Sequence, residues 1–480
     1  MRSDATLDLT QVTPLSDRLT AVYLEFNGVL PLRVENGSVE IATWLPEVDP
    51  QVLDDMRFLF DAEPEIVQAP EADVRAAIHR AYGAGGVTAE GVIAGMGMDD
   101  DVAAAESETA LDDLVHLANE GPVVKLVNLI LLEALDARAS DVHVEGYADT
   151  LRVRYRIDGV LQDGPAPPAH LKAAIVSRLK IMADLDIAER RVPQDGRIRL
   201  RLQDRQVDVR VSTVPVLHGE SVVLRLLDKE RARIGLEDLG MSDTTARGFA
   251  EAIRRPHGIV LSTGPTGSGK TTTLYAAIDQ IRTGREKILT VEDPVEYELA
   301  GVPQVPVHEK VGLTFATALR SLLRQDPDVL LVGEIRDEDT AEIATHAALT
   351  GHLVLSTLHT NDAPSALVRL LDLGLAPYLV ASTVEAVLAQ RLVRKICPAC
   401  GGRAEGCEEC RGTGFHGRTG IYELLVMTDE LRRALPQSRG AGELRALAIA
   451  HGMPTLRDDG LRLLNAGVTT LAEVDRVTSA

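Results

Sequence analysis

The sequence predicts an α/β protein: a helix-flanked, mostly parallel sheet preceded by two smaller α/β modules. Four near-continuous apolar runs, "GIVLSTG" (258–264), "KILTVED" (287–293), "DVLLVGE" (328–334) and "HLVLSTLHT" (352–360), each end in polar residues, as strands buried on both faces of a parallel sheet do. Alternating runs between 151 and 228 predict antiparallel strands with one solvated face. The 480 residues leave room for about three domains of roughly 100 to 200 residues each.

Hydrophobic residues at 45% and charged residues at 25% place the chain among soluble globular proteins. No stretch approaches the roughly 18 uncharged apolar residues of a membrane span, and "MRSDATLDLT" has neither the basic start nor the apolar middle of a signal peptide. A cytoplasmic location, with any membrane association indirect, is the expectation. The net charge of −22 is uneven, with −15 in residues 1 to 110. That excess of acid argues against direct nucleic-acid binding, which needs a basic surface. It reads either as a solvated face or as a module that docks on a basic protein partner.

In chain order, a first module is expected over 1–95, from short strands in "LEFNGVLPLRVENGSVEIATW" (24–44) and a helix in "EADVRAAIHRAYG" (71–83). Residues 96–110, glycine-rich and then acidic without apolar periodicity, read as a flexible linker. A second module over 111–231 opens on an amphipathic helix (123–137). It continues in strands "LRVRYRIDGVL" (151–161), "RQVDVRVSTV" (205–214) and "ESVVLRLLD" (220–228), the last two a hairpin around "PVLHG". From 232 to 480 strand, loop and helix alternate, and ligands of such sheets bind beyond the strands' carboxyl ends.

"GPTGSGKT" at that edge fits G-x-x-x-x-G-K-[ST] between an apolar strand and a helix. Its glycines let backbone N–H groups wrap phosphates at a helix N-terminus, so Gly264, Pro265, Thr266, Gly267, Ser268, Gly269, Lys270, Thr271 and Thr272 are candidate ATP contacts. Lys270 would reach the terminal phosphates and the Thr271 hydroxyl would bind Mg²⁺. "VLLVGEIRD" (329–337) has Gly333 where a metal-binding aspartate is usual. Asp328 begins the strand, roughly 20 Å from the phosphate end at about 3.3 Å per residue, and cannot replace it. Glu334 stands at the correct end and is free to orient and deprotonate the attacking water if Mg²⁺ is held by Thr271 and water. Whether Glu334 meets the metal through water or only the attacking water stays open. Glu292, Asp293 and Glu296 in "TVEDPVEY", and His359 in "LVLSTLHT", arrive at the same edge; each alone also reads as an ordinary surface acid or a satisfied histidine.

If the hairpin loop spans 215–220, Arg210 lies opposite Arg225. Two like charges facing across strands are unfavourable unless an anion lies between them. The pair therefore reads as arginine fingers for transition-state charge, or, with the register off by one, as solvent-facing charges. Arg320, Arg324 and Arg336 flank the glutamate strand, at a subunit interface or simply solvated. The four cysteines, Cys397, Cys400, Cys407 and Cys410, form two C-x₂-C pairs within fourteen residues, the pattern of a structural tetrahedral Zn²⁺ site with no open position.

The loop, "EDPVEY", "VGEIRD" and "TGHLVLSTLHTND" resemble the phosphate loop, Asp box, glutamate-type Walker B and His box of the type II/IV secretion ATPase superfamily. "ASDVHVE", "RRVPQDGRI" and "DVRVSTVPVLHGESVVLRLLD" resemble its second N-terminal domain, and "FHGRTGIYELL" follows the cysteines as it does in that family. The resemblance implies a RecA-like P-loop ATPase domain (232–480) with a Cys₄ zinc subdomain (397–410), after a PAS-like α/β second N-terminal domain and a small α/β first one. It implies a Gly-Glu Walker B as the normal form, Glu334 as catalytic acid/base, Glu292 and Glu296 as supporting acids, and His359 sensing the γ-phosphate. It implies a homohexamer on the cytoplasmic face of the inner membrane, the first domain docking on platform proteins: the cytoplasmic domain of the L-type protein and the F-type polytopic protein. Type II secretion motors are the most similar members, and type IV pilus assembly motors share every motif named. A DNA-uptake or DNA-translocating motor and a non-hydrolysing regulatory subunit are the alternatives of other classes.

Overall fold

The computed structural model describes residues 121–202, 205–228, 234–403, 405–438 and 440–479, and earlier in the chain 27–35, 37–46, 48–78 and isolated positions from 9 to 24. The linker expected over 96–110, the end of the helix expected over 71–83 and the junction expected at 231/232 lie outside these residues. Within them the strands form three sheets.

The first sheet holds β1 (Val29–Glu35), β2 (Ser38–Thr43) and β3 (Glu63–Gln68) in that order, β1–β2 antiparallel and β2–β3 parallel. Helices Pro50–Phe60 and Glu71–Ile78 cover one side, with Leu30, Ile41, Met56 and Ile78 in the core between.

The second sheet is antiparallel: β4 (Ala139–Gly146), β5 (Leu151–Ile157), β6 (Val160–Asp163), β7 (Gln194–Leu202), β8 (Arg205–Val216) and β9 (Gly219–Asp228), in the order β6-β5-β4-β9-β8-β7. Period-two alternation sends Leu151, Val153, Tyr155 and Ile157 into a core with helices Gly121–Asp136 and Lys172–Met182, and leaves Arg152, Arg154 and Arg156 on the other face. The run expected as one strand over 151–161 is two, because Asp158 and Gly159, at φ 50° and 84°, make the two-residue turn that Asp-Gly favours. The β8–β9 hairpin pairs Arg210 with Arg225 as expected. Its turn is tighter than expected, since Pro215↔Glu220 and Val216↔Gly219 are already paired and only Leu217 and His218 remain outside the ladder.

The third sheet comprises β10 (Gly258–Thr263), β11 (Ile288–Glu292), β12 (Gln304–Pro306), β13 (Val329–Val332), β14 (Leu353–Leu358), β15 (Val384–Ile396) and β16 (Phe415–Val426), ordered β12-β11-β13-β14-β10-β15-β16. Only β15–β16 is antiparallel. Ile259 and Leu261 face one core, with helices Phe315–Leu322, Glu338–Leu349 and Ala363–Asp372; Val260 faces the other, with helix Lys270–Ile281. Burial on both faces is why these strands read as unbroken apolar runs. Four helices between Asp429 and Thr478 close over β15 and β16, Arg394 pairing with the buried Glu473 at 2.7 Å.

Among the described residues, contacts between the units built on the second and third sheets include two beside the site. Asp158, at its turn, accepts a hydrogen bond from Gly417 N (2.8 Å) and lies 3.5 Å from the Arg418 guanidinium. Arg210 donates to Val295 O (3.1 Å) beside Glu296 (3.3 Å). Among the described residues no helix is long and apolar enough to cross a membrane.

Candidate functional site: a nucleotide cleft and a cysteine knuckle

A cleft of about 740 Å³ opens between the polar face of the second sheet and the carboxyl edge of the third. Its floor is the loop joining β10 to helix Lys270–Ile281. Gly269, at φ 89°, lets the chain turn directly into the helix, whose first N–H groups then face the cleft. Gly264 is compelled by crowding: a Cβ there would stand 2.6 Å from both Gln390 O and Ser268 Oγ. Lys270 Nζ donates to the loop's own carbonyls, Gly264 O (2.8 Å) and Pro265 O (3.0 Å). Ser268 Oγ is buried with no partner. A buried cation spending its donors on carbonyls, beside an orphaned hydroxyl, is a cradle shaped for an anion.

Burial pushes Lys270 down to about 8, against the pull of Glu334 and with the push of Arg391. Phosphates bound beside it favour the charged form and raise that value. Between the free and bound values, binding takes up a proton. ADP affinity should therefore be flat below pH 8 and fall by up to about tenfold per unit above it. Titration calorimetry from pH 7 to 9, in buffers of different ionisation heat, measures both the slope and the proton.

Glu334, only 12% exposed in its side chain, follows β13 into the cleft. Its Oε1 is 2.6 Å from Arg336 and its Oε2 3.4 Å from His359 Nε2. Gly333 does not face the phosphate loop: a Cβ there would meet Glu292 Cα and Val291 O of the neighbouring strand at 3.3 Å. Glycine at 333 lets β11 and β13 close up, and the acid falls one residue later. His359 is pushed below its usual value by burial, then by Lys270, so it is neutral at pH 7 despite Glu334.

The other acids differ from one another. Glu292 is 3% exposed and accepts three hydrogen bonds, from Thr290 Oγ1 (2.6 Å), Gln304 Nε2 (3.0 Å) and the Tyr275 hydroxyl. These bonds brace it between β11 and helix Lys270–Ile281 at the cleft lining. Glu296 is the more exposed acid and faces Arg210. Arg225 reaches the cleft wall half-exposed and lies 3.0 Å from Asp141 Oδ1. Asp141 and Arg156 line the same wall and received no role from the sequence, although Arg156 belongs to the outward stripe of β5. Gln390 and Arg391, also unassigned, form a buried polar step in an apolar strand, which was their visible signal.

The four cysteines close a separate site between β15 and β16. Cys397 and Cys407 sulfurs are 3.8 Å apart, Cys400 and Cys410 3.9 Å, Cys407 and Cys410 3.7 Å, and all four lie within 4.8 Å of one another. Tetrahedral Zn²⁺ with Zn–S near 2.3 Å spaces its sulfurs roughly 3.8 Å apart, so the donor set fits that ion and no disulfide forms. Burial raises the Cys410 thiol, but N–H donors of Cys407 and Gly414 and the adjoining thiols outweigh it and bring it to about 6, favouring the thiolate a metal needs.

A glycine loop capping a helix at the carboxyl edge of a parallel sheet, with an acid and a histidine from the next strands, places the chain among the phosphate-loop ATPases. Within them it belongs to the type II/IV secretion system protein family, whose model matches residues 116–476; an MshEN domain matches residues 5–88. It is 54% identical to the type II secretion system protein HxcR of Pseudomonas aeruginosa over 393 residues, 78% of this chain and 84% of that one. It is 45% identical to the type II secretion system protein E of Xanthomonas campestris pv. campestris over 495 residues, 98% and 86% of the two chains. The type IV pilus assembly ATPase PilB of Myxococcus xanthus is 48% identical over 449 residues, 88% and 79% of the two. Among solved structures, the pilus retraction motor PilT with bound ADP superposes with a TM-score of 0.53 at 28% identity, covering 73% of this chain and 96% of that one.

Proposed function

We propose that the protein is the ATPase motor of a type II secretion system, hydrolysing ATP to drive pseudopilus assembly and the export of folded proteins. The observation that carries the reaction is the convergence of Lys270, Glu334 and His359 on one cleft whose opposite wall bears Arg225 and, beside it, Arg210. The secretion setting is supported by the type II proteins at 45 to 54% identity over most of their length.

The loop N–H groups, Ser268 and Lys270 bind the phosphates, Lys270 exchanging carbonyl partners for phosphate oxygens. Thr271 would hold Mg²⁺, which supplies neutralisation of phosphate charge. Glu334 Oε2, without a hydrogen bond, orients the attacking water and takes its proton. His359, neutral, stands next to Glu334 and would sense the γ-phosphate. Arg210 and Arg225, now held by Glu296 and Asp141, supply positive charge once the cleft closes. Glu292 keeps β11 in place and Glu296 meters Arg210. Zinc at the cysteine knuckle is structural. The first module docks on inner-membrane platform proteins at the cytoplasmic face, and a homohexamer orders the arginines.

Turnover should therefore be weak in monomer fractions and rise several-fold in hexamer fractions, as read by phosphate release across a sizing column. The similarity to PilB keeps pilus extension as the second reading. Complementation separates them: the gene should restore export of folded enzymes in a strain lacking its type II motor. Restored surface pili without restored export would reverse the assignment.

A further inference from the structure

Strand β15 runs beneath the phosphate loop, and Gln390 is where it touches. The strand pairs in parallel with β10, Thr263 opposite Ala389, so Gln390 falls one step further on, level with Gly264, the loop's first residue. Its side chain is 1% exposed. The amide nitrogen donates to Ser268 O at 2.6 Å, and the amide oxygen accepts from Ser262 Oγ at 3.2 Å. The backbone carbonyl of Gln390 is one of the two atoms that a Cβ at Gly264 would meet at 2.6 Å, and its amide nitrogen lies 3.0 Å from where a Cβ would stand at Gly269. One residue thus touches the beginning, middle and end of the cradle. The next residue, Arg391, also buried, donates to Asn361 O at 2.9 Å, two residues beyond His359.

We infer that Gln390 is a positioning residue for nucleotide binding: its buried amide fixes the Ser268–Gly269 peptide so that the following N–H groups point at the phosphates. A peptide plane has one free rotation at this point, because Gly269 carries no side chain to restrain it. Anchoring the carbonyl to the strand below forces the N–H of the same peptide upward, into the cleft. Without the amide, Ser268 O is a buried acceptor without a partner, and the peptide gains by turning that oxygen toward water in the cleft, where it faces incoming phosphate oxygens.

This rests on the loop being the nucleotide site, so the test carries its own control. ADP binding with Mg²⁺ is measured by calorimetry for the parent, Lys270→Ala, Gln390→Leu and Gln390→Glu. Lys270→Ala must lose binding; if it does not, the nucleotide reading fails and not this inference. Gln390→Leu keeps the volume and should bind ADP about tenfold more weakly at every pH, with zinc content and melting temperature near the parent's. Gln390→Glu discriminates further. Its protonated carboxyl can donate to Ser268 O as the amide does, whereas its ionised form repels that oxygen. Burial raises the pKa of the new acid, so affinity should approach the parent's near pH 5.5 and fall about tenfold by pH 8. A purely structural role would show the same deficit at both. Gln390→Leu binding within twofold of the parent, or Gln390→Glu following the parent's pH profile, overturns the inference.

Discussion

Replacing Glu334 by glutamine is expected to lower ATP turnover about 10³-fold while ADP affinity stays level or improves. Glutamine keeps the shape, and so the packing beside Arg336 and His359, but cannot take a proton from water. The cradle itself is untouched, since Lys270 and Ser268 hold their places through the loop and Gln390. Removing a carboxylate that faces the phosphates also removes a repulsion. Rapid-quench turnover and calorimetry on the same preparation give both numbers. A turnover loss below tenfold would transfer the base role elsewhere, and a matching loss of ADP affinity would make Glu334 a binding residue.

The second large effect is expected at the knuckle. Protein purified without a histidine tag should carry about one zinc per chain, and Cys400→Ser should lose most of it, because three thiolates hold the ion far less well than four. Gly414, whose N–H donates to Cys410 Sγ and whose carbonyl accepts from Cys397 N, then loses its fixed surroundings, and the β15–β16 tip frays. A cost of about 3 kcal/mol would lower the melting midpoint by roughly 6 to 12 °C in a domain of this size. Metal analysis finding no zinc in the parent protein would refute the site.

Much of this architecture was legible because the signals were local. Buried parallel strands announce themselves as apolar runs, and the hairpin register placing Arg210 opposite Arg225 follows from counting outward from a turn. The loop expected over 215–220 shortens to Leu217 and His218, because Pro215 pairs with Glu220 and Val216 with Gly219. The run 151–161 was read through its Asp-Gly turn because alternation continues on both sides of it. Gly333 looked like a gap in a metal site, and its reason is a strand-to-strand distance that no sequence displays. Glu292 arrived at the right edge, but only three dimensions reveal Thr290, Gln304 and Tyr275 consuming its oxygens. Gln390 stands out in sequence as a polar residue in an apolar strand, but its partners do not, because they lie 122 and 128 residues away in the chain.

Strand β15 also acts as a ruler. Gln390 and Cys397 are seven residues apart, roughly 23 Å of extended chain at 3.3 Å per residue. Two sites of unrelated chemistry, one for phosphate and one for a metal, are spaced by a single length of backbone. Inserting one residue between them would turn a neighbour's side chain toward the loop or pull Cys397 out of its tetrahedron, because side chains alternate along a strand. Between 390 and 397 the count of residues, as much as their identity, is what joins the phosphate loop to the cysteine knuckle.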